Sequence, residues 1–225
     1  MCSSDLTMSG KAKQDLRTSL NKFKRLGYSF ERLEPPISLT VLSELRTISD
    51  EWLIEMQGAE KRFSLGWFDE AYIGHCDVFL VKNEAQQIIA FANVVNPYQS
   101  KNATVDLMRR RTQAPPGTMD FLFTGMFEHY KAQGYAGFNI GLSALAGVGD
   151  VDNARRLEKG VRYLYRHLNR FYNFKGLHAY KDKFQPRWES RYLVYPSVMA
   201  LPDVVMALIR ADSGDRLFDY LRPDD

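Results

Sequence analysis

The chain has little of what several common protein classes require. It holds two cysteines, Cys2 and Cys76, too few for a disulfide framework and without metal-ligand spacing. Its four histidines, His75, His129, His167 and His178, are scattered and form no HxxxH or HExxH pattern, so a zinc site is not expected. No run of about 18 apolar residues is present, so nothing in the sequence is expected to span a bilayer. The start, MCSSDLTMSGKAKQ, lacks the apolar stretch of a secretory signal. There is no Walker A motif, and the glycines at 137, 141, 147 and 149 do not make GxGxxG, which removes support for a nucleotide fold. Internal repeats and low-complexity tracts are missing too. Together these absences predict a reducing, cytosol-facing protein.

What is present is a core and an uneven charge. Of 225 residues 45% are apolar, with 14 Phe, 12 Tyr and 3 Trp, enough for one large domain or two small ones and far from a disordered composition. The net charge is only +3. Between Arg155 and Arg191, however, eleven Lys/Arg stand against three Asp/Glu, whereas residues 51–100 hold three basic and seven acidic residues. A basic block in a balanced chain points to an anionic partner, either nucleic acid or an anionic membrane face.

Periodicity and end signals predict the elements. A helix is expected over 11–26, with Leu16, Leu20 and Phe23 on its apolar face and Gly27 as its stop. Glu34-Pro35-Pro36 is a rigid connector, after which Ser38 caps a helix carrying Val41, Leu42, Leu45, Ile48, Trp52 and Leu53. A short helix at 68–72 precedes strands at 78–81, 86–95 and 104–108. A helix over 118–133, closed by Gly134, leads to a strand at 137–142. A long helix over 153–172, a strand at 191–195 and a helix over 203–211 complete the order. This order suits an α+β fold, a mixed central sheet flanked by helices, compatible with the GNAT acyltransferase fold. The opening MCSSDL matches nothing that follows and has the look of sequencing-adaptor read-through. Residues 1–10 are therefore expected to be a non-native or disordered start, and the chain to be a fragment lacking its natural N-terminal part.

Four stretches could carry chemistry. In the helix from Asn153, Leu157, Val161, Leu164, Leu168 and Phe171 share one direction, while Arg155, Lys159, Arg162, Arg166 and Arg170 share the opposite one. A solvated face usually mixes signs, so this stripe divides evenly between plain solvation and contact with phosphates. In 171–184, aromatics interleave with lysines; a core-edge helix with snorkelling lysines is the plainer reading, and stacking on bases or gripping phosphates the alternative. In Val105-Asp106-Leu107-Met108-Arg109, alternation puts Asp106 and Arg109 on opposite faces. A bend after Met108 would let them converge, as a structural salt bridge or as an oriented carboxylate beside a phosphate-binding guanidinium. Finally, Gln113 to Thr118 falls where GNAT acetyltransferases cradle coenzyme A pyrophosphate on backbone amides. Pro116 and Thr118 stand where glycines are needed, which argues against an acetyl-coenzyme A-dependent acetyltransferase.

Several blocks in order resemble the C-terminal domain of the phosphatidylglycerol lysyltransferases, or multiple peptide resistance factors. They are FSLGWFDE (63–70), VDLMR (105–109), GTMDFLF (117–123), FNIGL (138–142) with Gly147-Val148-Gly149, FYNFKGL (171–177), YKDKF (180–184), and Trp188 with Arg191-Tyr192-Leu193. The resemblance covers about residues 11–200. It implies a GNAT-like acyltransferase fold, the C-terminal unit of a tandem arrangement. Residues 11–36 would then be a remnant helix and linker of the preceding unit, and 37–225 the transferase domain. It implies transfer of lysine, or in relatives alanine, from aminoacyl-tRNA to the glycerol hydroxyl of phosphatidylglycerol, giving a cationic lipid that lowers susceptibility to cationic antimicrobial peptides. The implied partners are aminoacyl-tRNA, phosphatidylglycerol in an anionic membrane, and an upstream flippase and first GNAT unit. The implied place is the cytoplasmic face of the bacterial inner membrane. An aminoacyl ester is already activated, so neither ATP nor another cofactor is expected, and no metal. The catalytic candidates are Asp106, Arg109, Lys175 and Lys181; the substrate-binding candidates are Glu70, Arg110, Lys183, Arg162 and Arg166. A non-catalytic RNA- or anionic-membrane-binding module using the same basic face is the alternative from another class.

Overall fold

The structure is a computed structural model that describes residues 2–4, 9–56, 60, 66–95, 101–143 and 174–213. A 3-10 turn, Lys11–Lys13, leads into α1 (Gln14–Arg25), which buries Leu16, Leu20 and Phe23 at helical spacing. The expected cap at Ser38 is present: its side chain accepts a hydrogen bond from the Val41 amide at the start of α2 (Leu39–Glu55). α3 (Glu70–Ile73) is capped in the same way by Asp69. α4 (Thr118–Ala132) buries Phe121, Leu122, Phe123, Met126, Phe127 and Tyr130, so it is apolar on most of its circumference and lies inside the domain. α5 (Phe174–Asp182) and α6 (Leu201–Ser213) follow near the end, the second after a 3-10 turn, Val198–Ala200.

Seven strands of the described residues make one mixed sheet: β1 (Cys2–Ser4), β2 (Ser29–Leu33), β3 (Asp77–Lys82), β4 (Ile88–Val95), β5 (Asn102–Arg110), β6 (Gly137–Gly141) and β7 (Arg187–Trp188). Their order across the sheet is β2-β3-β4-β5-β6-β1-β7. Every pair is antiparallel except β5 and β6, which run parallel and join at only three pairs, from Asn102 with Gly137 to Thr104 with Asn139. Beyond Thr104 the two strands part. Residues 2–4, within the stretch expected to be a non-native or disordered start, pair as β1 between β6 and β7.

The sheet is covered on both faces. Phe79 and Val81 of β3 meet α1 and α4 in one core, and Val78 and Leu80 meet α2 and α3 in the other. Both faces of β3 therefore bury apolar side chains, each worth about 1.5–3 kcal/mol. The expected α+β fold with a mixed sheet between helices is the one observed. Two differences stand out. Residues 191–195 form no strand, and Tyr192 and Val194 are 84% and 90% exposed. β2 was not foreseen; its Ser-Phe-Glu-Arg-Leu sequence serves as an edge strand paired only to β3. The helix expected over 153–172 lies outside the described residues.

Candidate active site

The site begins with an irregularity in β5. Opposite β4 the register runs from Ala92 with Met108 to Val94 with Val105, so two residues, Asp106 and Leu107, face the single residue Asn93. This is a β-bulge, and it reverses the faces of the strand. Before it, Ala103 and Val105 enter the α1/α4 core; after it, Leu107 enters the α2/α3 core while Met108 packs towards α1/α4. Asn93, fully buried, locks the bulge by accepting a 2.9 Å hydrogen bond from the Leu107 amide. The convergence of Asp106 with Arg109, expected from a bend after Met108, arises instead from this bulge ahead of Met108.

Asp106 is held at both oxygens. Oδ1 accepts from the Gly66 amide at 2.6 Å, and Oδ2 accepts from the Tyr72 hydroxyl at 2.7 Å. Gly66 is required by space: a Cβ there would stand 2.2 Å from the Asp106 carboxylate. Burial, then the hydrogen bond and charge of Asp106, push the Tyr72 phenol far above its ordinary value, so it stays a neutral donor. Arg109 is 5% exposed. It donates to Glu60 at 2.9 Å, and its guanidinium lies 4.3 Å from the Trp52 ring centre. Its Nη1 is buried without a hydrogen-bond partner. Burial lowers its pKa, against the opposing pull of Glu60 and the nearby Asp106 and Asp50.

The next two arginines are tied to α2. Arg110 grips Glu55 with both terminal nitrogens, at 2.7 and 3.2 Å, and Arg111 binds Glu51 at 2.6 Å and Glu44 at 3.4 Å. Acids one and two turns apart on one helix thus pin the end of β5, and Arg110 is occupied by this duty. The side of Arg110 that is left faces a cleft of about 500 Å³ at the end of β5. Its walls include Trp52, Met108, the loop from Thr112 to Gly117, the first turn of α4, Tyr180 and Lys183. Trp52 is thus shared between the Arg109 cluster and the cleft.

The other expected residues are dispersed around this centre. Lys183 lines the cleft and binds Asp120 at 2.6 Å. Lys181 is buried, with its ammonium donating to the Leu142 carbonyl at 3.0 Å beside the end of β6. Glu70 is on α3, two residues from Tyr72, and pairs with Arg46 at 3.4 Å. Lys175 is in the first turn of α5; its side chain, like Arg162 and Arg166, lies outside the described residues. Glu60, Tyr72, Trp52, Asp120 and Tyr180 were not singled out from sequence. Tyr72 follows closely on the FSLGWFDE block, and Asp120 and Tyr180 sit inside matched blocks, which was the available signal. In the loop before α4, Pro115 and Pro116 have no amide to offer, and the Ala114 and Thr118 amides are spent on the Arg111 and Pro115 carbonyls. A pyrophosphate cradle is therefore poorly supplied. Among the described residues no group of three or more His, Cys, Asp or Glu could hold a metal ion, and no helix is long and apolar enough to cross a membrane.

Strand order, the parallel seam that opens after three pairs, and the buried helix entering beside it define a GNAT-like domain. Comparison with known proteins narrows this. Residues 2–195 match the family described as phosphatidylglycerol lysyltransferase, C-terminal. The chain is 41% identical over 203 residues to the phosphatidylglycerol lysyltransferase of Bacillus subtilis, covering 90% of this chain and 23% of that protein. It is 40% identical over 189 residues to the Staphylococcus xylosus protein of the same name, covering 84% and 22%. Among solved structures, L-PGS from Bacillus licheniformis superposes with a TM-score of 0.80 at 37% identity, covering 96% of this chain and 66% of that one. The chain belongs to the phosphatidylglycerol lysyltransferase C-terminal family, and it spans less than a quarter of the length of the curated relatives it matches.

Proposed function

We propose that this chain is the part of a bacterial lysyltransferase that moves lysine from aminoacyl-tRNA to a glycerol hydroxyl of phosphatidylglycerol. The observation that carries the reading is the Asp106 carboxylate, fixed by two donors at a bulge beside a buried guanidinium, in a chain of this family. The reaction is an ester exchange. The glycerol oxygen attacks the aminoacyl carbonyl and gives up its proton, an oxyanion develops, the ester bond to tRNA breaks, and the proton ends on the terminal ribose oxygen. Asp106 is the general base or the anchor for the substrate's ammonium. Arg109, whose Nη1 has no partner, holds the lipid phosphate. Lys175 or Lys181 stabilises the oxyanion or holds the tRNA 3′ end, and Glu70, Arg110, Lys183 and the basic residues Arg162 and Arg166 serve binding. In the cell the domain works with an upstream flippase and a first GNAT unit at the cytoplasmic face of the inner membrane. Its product, a cationic lipid, lowers susceptibility to cationic antimicrobial peptides.

The test is incubation with radiolabelled Lys-tRNA or Ala-tRNA and phosphatidylglycerol vesicles, with thin-layer chromatography of the lipids. Label in a new lipid is expected, and more of it when the upstream unit is supplied. No labelled lipid with the upstream unit present would overturn the reading.

A further inference from the structure

Every residue of β4 is apolar except Asn93, which is fully buried. Three costs attach to an asparagine there. The residue type is poorly suited to strands. Its amide leaves water for an apolar interior. Its NH2 group, Nδ2, is buried without a hydrogen-bond partner. Against these stands one bond, donated by the Leu107 amide to Oδ1 at 2.9 Å.

That bond sits where it governs the candidate carboxylate. The pairing of β4 with β5 is interrupted between Ala92 with Met108 and Val94 with Val105, and over this stretch a side chain does the tying that backbone groups do elsewhere. Leu107 directly follows Asp106. The Asp106 carboxylate meets the Gly66 amide at 2.6 Å and the Tyr72 hydroxyl at 2.7 Å, and bonds this short tolerate shifts of only about a few tenths of an ångström. Arg109, two residues beyond Leu107, has holds of its own in Glu60 and the Trp52 ring. Asp106 is thus the side chain that depends on the tie. A polar group kept in an apolar strand against its own stability is the pattern expected where geometry serves function.

We propose that Asn93 is a positioning residue: by holding the Leu107 amide it fixes the β5 backbone at Asp106, and so the aim of the Asp106 carboxylate in the transfer step. The inference rests on the acyl-transfer reading above. A merely structural Asn93 would tie the two strands and leave the carboxylate to Gly66 and Tyr72.

The test compares two variants of similar shape. Asn93→Asp keeps an acceptor for Leu107 and gives up only the NH2 group that has no partner; Asn93→Leu removes the acceptor. Amide hydrogen exchange by NMR on the full chain reads the geometry without tRNA or lipid. In Asn93→Leu the Gly66 amide should exchange about tenfold faster or more, together with that of Leu107, whereas in Asn93→Asp both should stay within about threefold of wild type. In the lipid assay with the upstream unit, kcat per folded molecule should fall about tenfold or more in Asn93→Leu, because a misplacement of about 1 Å can cost about 10²-fold. KM for phosphatidylglycerol should hold within about twofold, and Asn93→Asp should keep most of the wild-type kcat. Wild-type protection of Gly66, or wild-type kcat, in folded Asn93→Leu overturns the proposal, as does an Asn93→Asp variant that loses as much as Asn93→Leu. Should Asn93→Leu fail to fold, Asn93→Ala, smaller and likewise without an acceptor, takes its place. A wild type that gives no labelled lipid, beside Gly66 protection that still depends on the acceptor at 93, would count against the transfer reading alone.

Discussion

Replacing Asp106 by Asn separates the chemical role of this carboxylate from its structural one. The asparagine oxygen can still accept from the Gly66 amide, and its NH2 can donate to the Tyr72 oxygen, because a phenol both donates and accepts. The geometry survives, and what disappears is charge. Hydrogen bonds to a charged acceptor contribute about 1.5–3 kcal/mol each and neutral ones about 1. Two bonds weakened in this way cost about 2 kcal/mol. For a chain of this size that lowers Tm by roughly 4–8 °C, at about 2–4 °C per kcal/mol. The Tyr72 phenol should report the change directly. Burial raises its pKa most, but the hydrogen bond and charge of Asp106 add to that. In the variant it should therefore titrate at lower pH, though still above an ordinary tyrosine, as followed by phenolate absorbance. Lipid labelling should fall tenfold or more, on the scale of about 10²–10⁴ for a general base. Labelling within about twofold of wild type, in a variant whose Tyr72 titration has moved, would refute the chemical role of Asp106.

Gly66→Ala should reproduce much of that loss without touching a charge, because the new methyl would occupy the Asp106 carboxylate's position; full lipid labelling by this variant would show that the carboxylate's orientation does not matter. Glu60→Gln should cost about 3 kcal/mol by urea unfolding, because it strips the buried Arg109 of its ion partner. Adding Arg109→Met should restore part of that stability, and a double variant less stable than Glu60→Gln would refute the reasoning. Burial and the nearby Arg32 lower the pKa of His129. The unfolded chain thus takes up a proton first as pH falls through about 6.5, and stability is lost on acidification from there to the folded pKa. The fall in Tm between about pH 7.5 and pH 5.5 should be smaller in His129→Gln than in wild type; equal falls would exclude this contribution.

Where local chemistry decides structure, the sequence was legible. Ser38 caps α2, and most of the apolar rows of α1 and α2 became core as their spacing predicts. Where a neighbour decides, it was not. Tyr192, Leu193 and Val194 have strand composition, yet no strand of the described sheet pairs with them and they remain exposed. Glu31 and Arg32 disguise β2, which exists because β3 offers it an edge. The site divides in the same way. Asp106 and Arg109 were readable as a pair with an awkward spacing. The bulge that reconciles them depends on Asn93, thirteen residues from Asp106 along the chain and opposite it in space. Asp120 hid because an acid in the first turn of a helix is ordinary helix chemistry; only the cleft beside it makes the position informative.

The bulge in β5 also conceals itself. Residues 103, 105, 107 and 109 are all buried and the even-numbered residues between them are not, which reads as unbroken alternation. Yet 103 and 105 belong to one core and 107 to the other. Odd parity is kept throughout while its meaning is exchanged midway, which is possible only because helices cover the strand on both sides. A single-residue deletion between 105 and 108 would restore a regular ladder and leave hydrophobicity almost untouched. Everything beyond it would keep the face it has now, with one residue opposite Asn93 and Met108 still opposite Ala92. The strand thus carries one residue more than its ladder needs, and that surplus is what gives the candidate carboxylate Asp106 a place outside either core.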